Sequence, residues 1–326
     1  MNIIKSHNEL LAPVFVSVYD RKEHLSKCVN ALLENAEAGE TVLYIVSDGA
    51  KEKTHEPSIE SVRNYIRTIT GFKEVKTRFR EENWGMQKST LDAIEWVLSE
   101  NDCFIRMEDD IVCSTFYLKY MNEALKTYSR DMRVFGITAY THPDFNPPKK
   151  YPHEVFLWNS MSTWGHATWK DRWETFIEEN EKARKQLSDK SVWKAFRKTH
   201  GLSSPRKTYI NGFMHIDVRI NIYLFVRGLY AVCPVKSLTT NSGMDGSGTH
   251  CSLGWTHPKQ IHSQHPVTLP KTVVPSAEIH QTLQRLHYSF VNYTLARILR
   301  QIGVFDPMYN FFRKFIEPFF KRRQGK

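Results

Sequence analysis

Glu108, Asp109 and Asp110 stand in succession directly after the apolar run Cys103–Met107. Three adjacent carboxylates at the end of a buried strand repel one another, and no obvious cation neighbours them in the sequence. A divalent metal would remove that cost. Mg²⁺ and Mn²⁺ favour oxygen ligands and take one or two carboxylates together with substrate phosphates. The plainer alternative is a solvated acidic turn capping the helix that follows. Two further polar clusters end apolar runs in the same way: Asp20-Arg21 after Pro13–Tyr19, and Ser47-Asp48-Gly49 after Val42–Val46.

The elements that must position these residues alternate in type. Strand patterns cover Pro13–Tyr19, Val42–Val46, Val75–Phe79, Phe104–Met107 and Val134–Thr138. Helical spacing joins Leu25, Cys28, Val29, Leu32 and Leu33, with Asp20 and Glu23 set as a capping box. Met86–Leu98 and Phe116–Tyr128 are further helices. This alternation predicts an α/β fold with a mostly parallel sheet covered by helices on both faces. Ligands of such sheets bind beyond the carboxyl ends of the strands, where all three polar clusters fall.

Farther on, Thr141–Pro152 reads as a loop, and a Trp-rich stretch runs from Trp158 to Trp173. There Trp164 and Trp169 suit either core packing or stacking on a sugar. Asp171–Lys198 is helical and polar, and its basic part, Lys182–Lys207, is a solvated face or a contact for an acidic or lipid-diphosphate acceptor. Gly243–His250 is a Gly-rich loop. Leu283, Leu286, Phe290, Leu295, Leu299 and Ile302 outline an amphipathic C-terminal helix.

The 326 residues are 41% hydrophobic and 25% charged, an ordinary composition for a soluble globular protein. No apolar stretch reaches the roughly 20 residues that span a bilayer, and the N-terminus lacks the apolar core of a signal peptide. Cys28, Cys103, Cys113, Cys233 and Cys251 form no CxxC pair and read as reduced thiols of a cytoplasmic protein. The net charge of +10 calls for an anionic partner: nucleic acid, a membrane surface or a phosphorylated small molecule. Aromatics interleave with cations over Phe311–Ile316 and Phe319–Arg323, which suits an anionic bilayer boundary or simple packing on the domain. No zinc finger, RNA-recognition signature or basic zipper accompanies them, so nucleic acid is not expected.

In order through roughly residues 13–255, these motifs resemble the nucleotide-sugar glycosyltransferases of the GT-A fold, notably the inverting N-acetylglucosaminyltransferase I type and bacterial family-two-like enzymes of surface-polysaccharide assembly. The resemblance implies a Rossmann-like sheet and assigns roles. Arg21 would approach the donor's diphosphate or base, and Asp48 would bond the donor uracil. Asp110, last of an Asp-X-Asp variant, would bind Mn²⁺, with Glu108 and Asp109 contacting ribose or sugar. Trp164–Trp169 is similar to the acceptor-side loop, and Asp217 falls where the family carries its catalytic aspartate. Asp245–His250 is similar to the loop that orders over the donor, where His250 is a third metal ligand, a phosphate contact or an ordinary hydrogen-bonding residue.

The chemistry agrees with that likeness. A sugar nucleotide accumulates charge on its diphosphate as the glycosidic bond breaks, and a metal with Arg21 or Lys88 would stabilise it. An inverting transfer needs a single carboxylate as base. Asp217 is the choice, with Asp171 and Asp245 as alternates and an ion pair to Arg219 or Arg227 as its structural reading. The expectation is therefore a metal-dependent (Mn²⁺ or Mg²⁺) inverting glycosyltransferase. It would use a nucleotide-diphosphate sugar, UDP-linked by preference, and a glycan or lipid-linked acceptor at the cytoplasmic membrane face. Residues 1–140 would hold the donor, 141–270 the acceptor and base, and 271–326 would form a helical, membrane-associating extension. A nucleotidyltransferase would need a Gly-rich phosphate loop that residues 13–24 lack. A non-enzymatic membrane- or nucleic-acid-binding protein would make the acidic motif merely structural.

Overall fold

A computed structural model of the chain describes residues 11–200, 206–211, 215–243 and 261–287. Asp245, His250, Cys251, the basic-aromatic C-terminal segment and the expected helix beyond His287 lie outside the described residues.

The first strands are apolar throughout because both sheet faces are covered. In β1 (Val14–Val18) the residues Val14, Val16 and Val18 enter one core cluster while Phe15 enters the other. In β2 (Val42–Ser47), Leu43 and Ile45 face the first cluster, Tyr44 and Val46 the second. This two-residue alternation lets one strand serve two layers. The first layer is closed by α1 (Lys22–Leu33), α2 (Glu56–Arg67) and α4 (Tyr117–Tyr128) through Leu25, Val62 and Met121. The second is closed by α3 (Met86–Glu100), α5 (Lys170–Gln186), α8 (Ile216–Arg227) and α9 (Ala277–His287) through Val97, Phe176, Ile220 and Ile279. Each fully buried side chain of this size contributes about 1.5–3 kcal/mol. The shorter α6 (Lys190–His200) and α7 (Arg206–Asn211) carry a small cluster around Phe196 and Tyr209. Among the described residues no helix is long and apolar enough to cross a membrane.

The sheet has eight strands. β1, β2, β3 (Glu74–Phe79) and β4 (Cys103–Glu108) are mutually parallel neighbours. β8 (His166–Trp169) runs antiparallel between β4 and β6 (Val134–Thr138). β9 (Tyr230–Pro234) lies parallel to β6, and β7 (Val155–Trp158) closes the far edge antiparallel to β9. The order is β3-β2-β1-β4-β8-β6-β9-β7. A two-stranded ribbon joins β5 (Ile111–Cys113) to β10 (Thr239–Asn241), antiparallel.

The expected α/β sheet is thus present and mixed, with β8 inserted from the Trp-rich stretch. The expected capping box does not form. Arg21 occupies the N-cap of α1 with no side-chain cap bond, so the helix begins one residue too late for Asp20 and Glu23 to reciprocate. The C-terminal segment starts as part of the domain, since Ile279 and Leu283 of α9 are buried in its second core layer. The four described cysteines are free thiols.

Candidate active site

β1 and β4 are neighbours in register, with Ser17 opposite Glu108, so the residues that follow them meet at one sheet edge. Arg21 Nη2 donates to Asp109 Oδ1 at 2.5 Å and to Asp110 Oδ2 at 3.1 Å. Burial opposes the charge on Arg21, but the two aspartates outweigh it and raise its pKa. Both aspartates are buried. The turn between β4 and β5 is fastened from behind. Ser242 donates its backbone N–H and its hydroxyl to the Asp110 carbonyl at 2.7 and 2.9 Å. The next residue, Gly243, passes so close that a Cβ there would lie 2.4 Å from Asp110 Oδ2.

The sequence offered no obvious cation for the triplet, yet folding supplies two. Arg21 arrives from β1. Arg106, two residues before Glu108 on the same strand, pairs with it at 3.1 Å, because i and i+2 share a face. The balance is still negative. Burial and the charges of Asp110 and Asp217 raise the pKa of Glu108 despite Arg106. Burial with Asp110 and Glu108 pushes Asp109 up to about 7 against the pull of Arg21. Asp110 Oδ1 is buried and has no hydrogen-bond partner among the described residues. An orphaned buried carboxylate oxygen, all-oxygen donors and surplus negative charge fit a hard divalent ion held through Asp110.

Asp217 comes to the same place from the other half of the chain. It lies in the first turn of α8, where the helix dipole favours a carboxylate. Its charge acts on Glu108, and its Oδ1 is buried without a hydrogen-bond partner among the described residues. The alternative pairing with Arg219 or Arg227 is not seen among the described residues. Arg219 bonds Asn180 at 2.9 Å and pairs with Glu181 at 3.4 Å, and Arg227 pairs with Glu179 at 3.0 Å, all on α5. Asp171, the alternate base, is far away. It follows the carboxyl end of β8, whose register sets Trp169 opposite Cys103 at the start of β4, the opposite sheet edge from Asp110.

Asp48 holds a neighbouring loop. Its carboxylate accepts backbone N–H bonds from Gly49 at 3.1 Å, Trp84 at 3.0 Å and Gly85 at 2.9 Å. It thereby pins the loop that opens α3, in which Gly85 takes a positive φ of 73°. This loop forms one wall of a cavity of about 770 Å³ lined by Trp84, Gly85, Lys88, Leu91, Asp92 and His215. The Arg80 guanidinium and the Lys88 ammonium lie 3.9 and 4.0 Å from the centre of the Trp84 ring. Asp92 fixes Arg80 and Arg78 at 2.6 Å each. His215 occupies the N-cap position of α8, two residues before Asp217 and without a side-chain cap bond, so the cavity that Lys88 lines reaches the start of that helix.

Sequence reasoning missed Arg80, Trp84, Arg106 and Gly243. Asn83-Trp84-Gly85 before Lys88 was a usable signal, as was the Gly-rich loop beginning at Gly243. Of the Trp-rich stretch, Trp158 and Trp173 are buried, Trp164 packs on the core, and Arg172 stacks on Trp169 at 3.6 Å. His166 is buried beside Arg106, and burial with that charge lowers its pKa to about 3.

No curated protein matches the sequence significantly. Among solved structures, S. aureus TarS is similar at 12% identity and a TM-score of 0.39, over 71% of this chain and 36% of that one. The chain therefore matches about a third of TarS. A structure of TarS residues 1–349 aligns at 14% identity and a TM-score of 0.39, covering 72% and 61% of the two chains. Mannosyltransferase PcManGT from Pyrobaculum calidifontis, in complex with GDP-Man and Mn²⁺, aligns at 10% identity and a TM-score of 0.39, covering 68% and 74%. The profile of Glycosyl transferase family 2 matches residues 14–199, from the first strand through the acidic motif to the end of α6. That span covers more than half of the chain, and the protein belongs to glycosyl transferase family 2, with the α/β sheet of a GT-A glycosyltransferase.

Proposed function

We propose that the protein is a metal-dependent inverting glycosyltransferase that transfers a hexosyl or N-acetylhexosaminyl group from a nucleotide-diphosphate sugar. The observation that carries this reading is that Asp110 and Asp217 both act on Glu108, each with a buried oxygen that no described group satisfies. Asp110 is the proposed metal ligand. Bound there, Mn²⁺ or Mg²⁺ supplies Lewis-acid neutralisation of the charge that grows on the departing diphosphate.

The chain's own residues supply the rest. Arg21 and Lys88 are the cations within reach of a diphosphate lying between the acidic motif and the cavity. Glu108 and Asp109 are assigned to ribose or sugar hydroxyls. Asp48 Oδ2 accepts one bond and keeps a lone pair for a uracil-type N–H, which favours a UDP-linked donor. Asp217 takes the proton of the acceptor hydroxyl as that oxygen bonds to the anomeric carbon. The carbon's bond to the phosphate oxygen breaks, and its electron pair leaves with the nucleoside diphosphate. Attack opposite the leaving group inverts the configuration. His250, as a metal or phosphate contact, belongs to the same proposal.

The acceptor we assign is a glycan or lipid-linked saccharide of bacterial surface-polysaccharide synthesis, met at the inner face of the membrane. The support is the net charge of +10 with the basic-aromatic C-terminal sequence. Donor hydrolysis and calorimetry with a panel of sugar nucleotides, with and without Mn²⁺, test the reading. Metal-dependent binding of one donor is expected, and binding of none would overturn it.

A further inference from the structure

Glu154, His262 and His265 stand at the far edge of the sheet. Glu154 immediately precedes β7, and its carbonyl accepts the Val235 N–H at 2.7 Å. The N–H of His262 donates to the Ser237 carbonyl at 2.7 Å, which brings the segment carrying both histidines to the same corner. One ring nitrogen from each histidine and one oxygen of Glu154 lie within 4.8 Å of one another.

Four features fit a ligand set better than a surface ion pair. His262 is 7% exposed, and its Nε2 is buried with no hydrogen-bond partner among the described residues. Leaving that nitrogen unsatisfied costs free energy that a metal bond would recover. His265 Nδ1 lies 3.0 Å from the Pro266 carbonyl. An oxygen can only accept, so Nδ1 carries the proton and Nε2 keeps its lone pair, as metal-bound imidazoles require. That Nε2 sits 3.7 Å from Glu154 Oε1, beyond hydrogen-bond distance. Two ligands sharing a tetrahedral ion at its usual bond lengths stand roughly 3.3 Å apart. The other oxygen, Oε2, is held by the Thr268 N–H at 2.7 Å, which orients the carboxylate.

We infer that Glu154, His262 and His265 form a binding site for a borderline divalent transition ion, of which Zn²⁺ is the type. Two imidazoles and one carboxylate are the donors such an ion prefers, whereas the all-oxygen set at Asp110 suits Mn²⁺ or Mg²⁺. The site is separate from the acidic motif. β7 lies four strand positions from β4, roughly 19 Å at the ordinary strand spacing. Its ion would clamp the segment after Ile261 to the edge strand, a structural task with water completing the fourth position.

The test uses the full chain, untagged and stripped with chelator, titrated with ZnCl₂ against a chromophoric zinc indicator. One zinc per chain is expected in the wild type, retained by Asp110→Asn. His265→Ala removes a half-exposed side chain and is expected to fold with an unchanged circular dichroism spectrum while weakening that binding at least tenfold. Glu154→Gln keeps shape and hydrogen-bonding capacity and should weaken it by a similar factor. Co²⁺ in place of Zn²⁺ should give tetrahedral d–d absorption that His265→Ala abolishes. Absence of zinc binding, or zinc affinity and Co²⁺ spectrum unchanged in both variants, would overturn the site. Either result leaves the donor-site proposal standing.

Discussion

Arg21 donates to Asp110 at 3.1 Å across 89 positions of sequence, so a residue at the end of the first strand holds the last carboxylate of the acidic motif. The arginine supplies part of the positive charge the motif demands and fixes the orientation of Asp110.

Replacing Asp110 with Asn keeps the shape and removes the charge. Loss of several kcal/mol of charge stabilisation corresponds to a fall in transfer of roughly a thousandfold. Manganese should no longer promote donor binding, as calorimetry with the productive sugar nucleotide would show. Metal-promoted binding at the wild-type level would reassign the ligand.

Asp217→Asn should separate binding from chemistry. Donor affinity is expected within about threefold of wild type, while transfer falls by about a hundred- to ten-thousandfold, the usual contribution of a general base. Single-turnover assays read the difference. Wild-type transfer by the Asn variant would move the base elsewhere. Asp171→Asn serves as the control and should leave transfer unchanged, since that residue sits at the opposite sheet edge.

Gly243→Ala probes the close approach behind the motif. A Cβ would meet Asp110 Oδ2 at 2.4 Å and Arg21 Nη1 at 3.0 Å, so Asp110 must swing away. The expected outcome is at least tenfold weaker metal-dependent donor binding. The accompanying stability loss should be only about 1–3 kcal/mol by urea denaturation. A wild-type metal dependence would show that Asp110 does not need its present aim.

Acid stability should depend on His166. Its pKa is lowered to about 3 in the folded protein by burial and by Arg106, against about 6.5 in an unfolded chain. Between those values the unfolded state binds the extra proton. Stability is therefore full above pH 6.5 and is lost as pH falls toward 3, at up to about 1.4 kcal/mol per pH unit. His166→Gln should flatten that slope in denaturation measured from pH 7 to 4. An unchanged slope would assign the acid sensitivity to other groups.

Much of the sheet was legible in the sequence because β1, β2, β4 and β6 are apolar runs bounded by polar ends. The parallel register of β1, β2 and β4 brings the polar residues after them to one sheet edge. β7, β8 and β10 were not legible. At three or four residues each they lack room for a period, and His166-Ala167-Thr168-Trp169 carries no strand pattern. The acidic motif announced itself by its cost, but the partners that moderate it did not. Arg21 reaches it only because β1 neighbours β4, and Arg106 lies inside the apolar run itself. Asp48 was found by position, but its hold on the loop before α3 was not. Its three backbone donors come from its own neighbour and from a loop 36 positions downstream, a closure that spacing cannot reveal.

The reversed strand β8 has one more consequence. It is the seam between the parallel block β3-β2-β1-β4 and the mixed block β6-β9-β7, paired to β4 over Cys103–Arg106 and to β6 over Gly136–Thr138. The block carrying Arg21, Asp48 and Asp110 and the block leading to β9 and β7 touch within the sheet only through those four residues. Were β8 to unzip, the sheet would part along a line running beside the acidic motif. The buried His166 stands at the end of that zipper, and because its pKa is lowered in the closed sheet, acid favours the opened state. Amide exchange in mild acid should therefore begin at Ala167 and its partners while β1 and β2 remain protected.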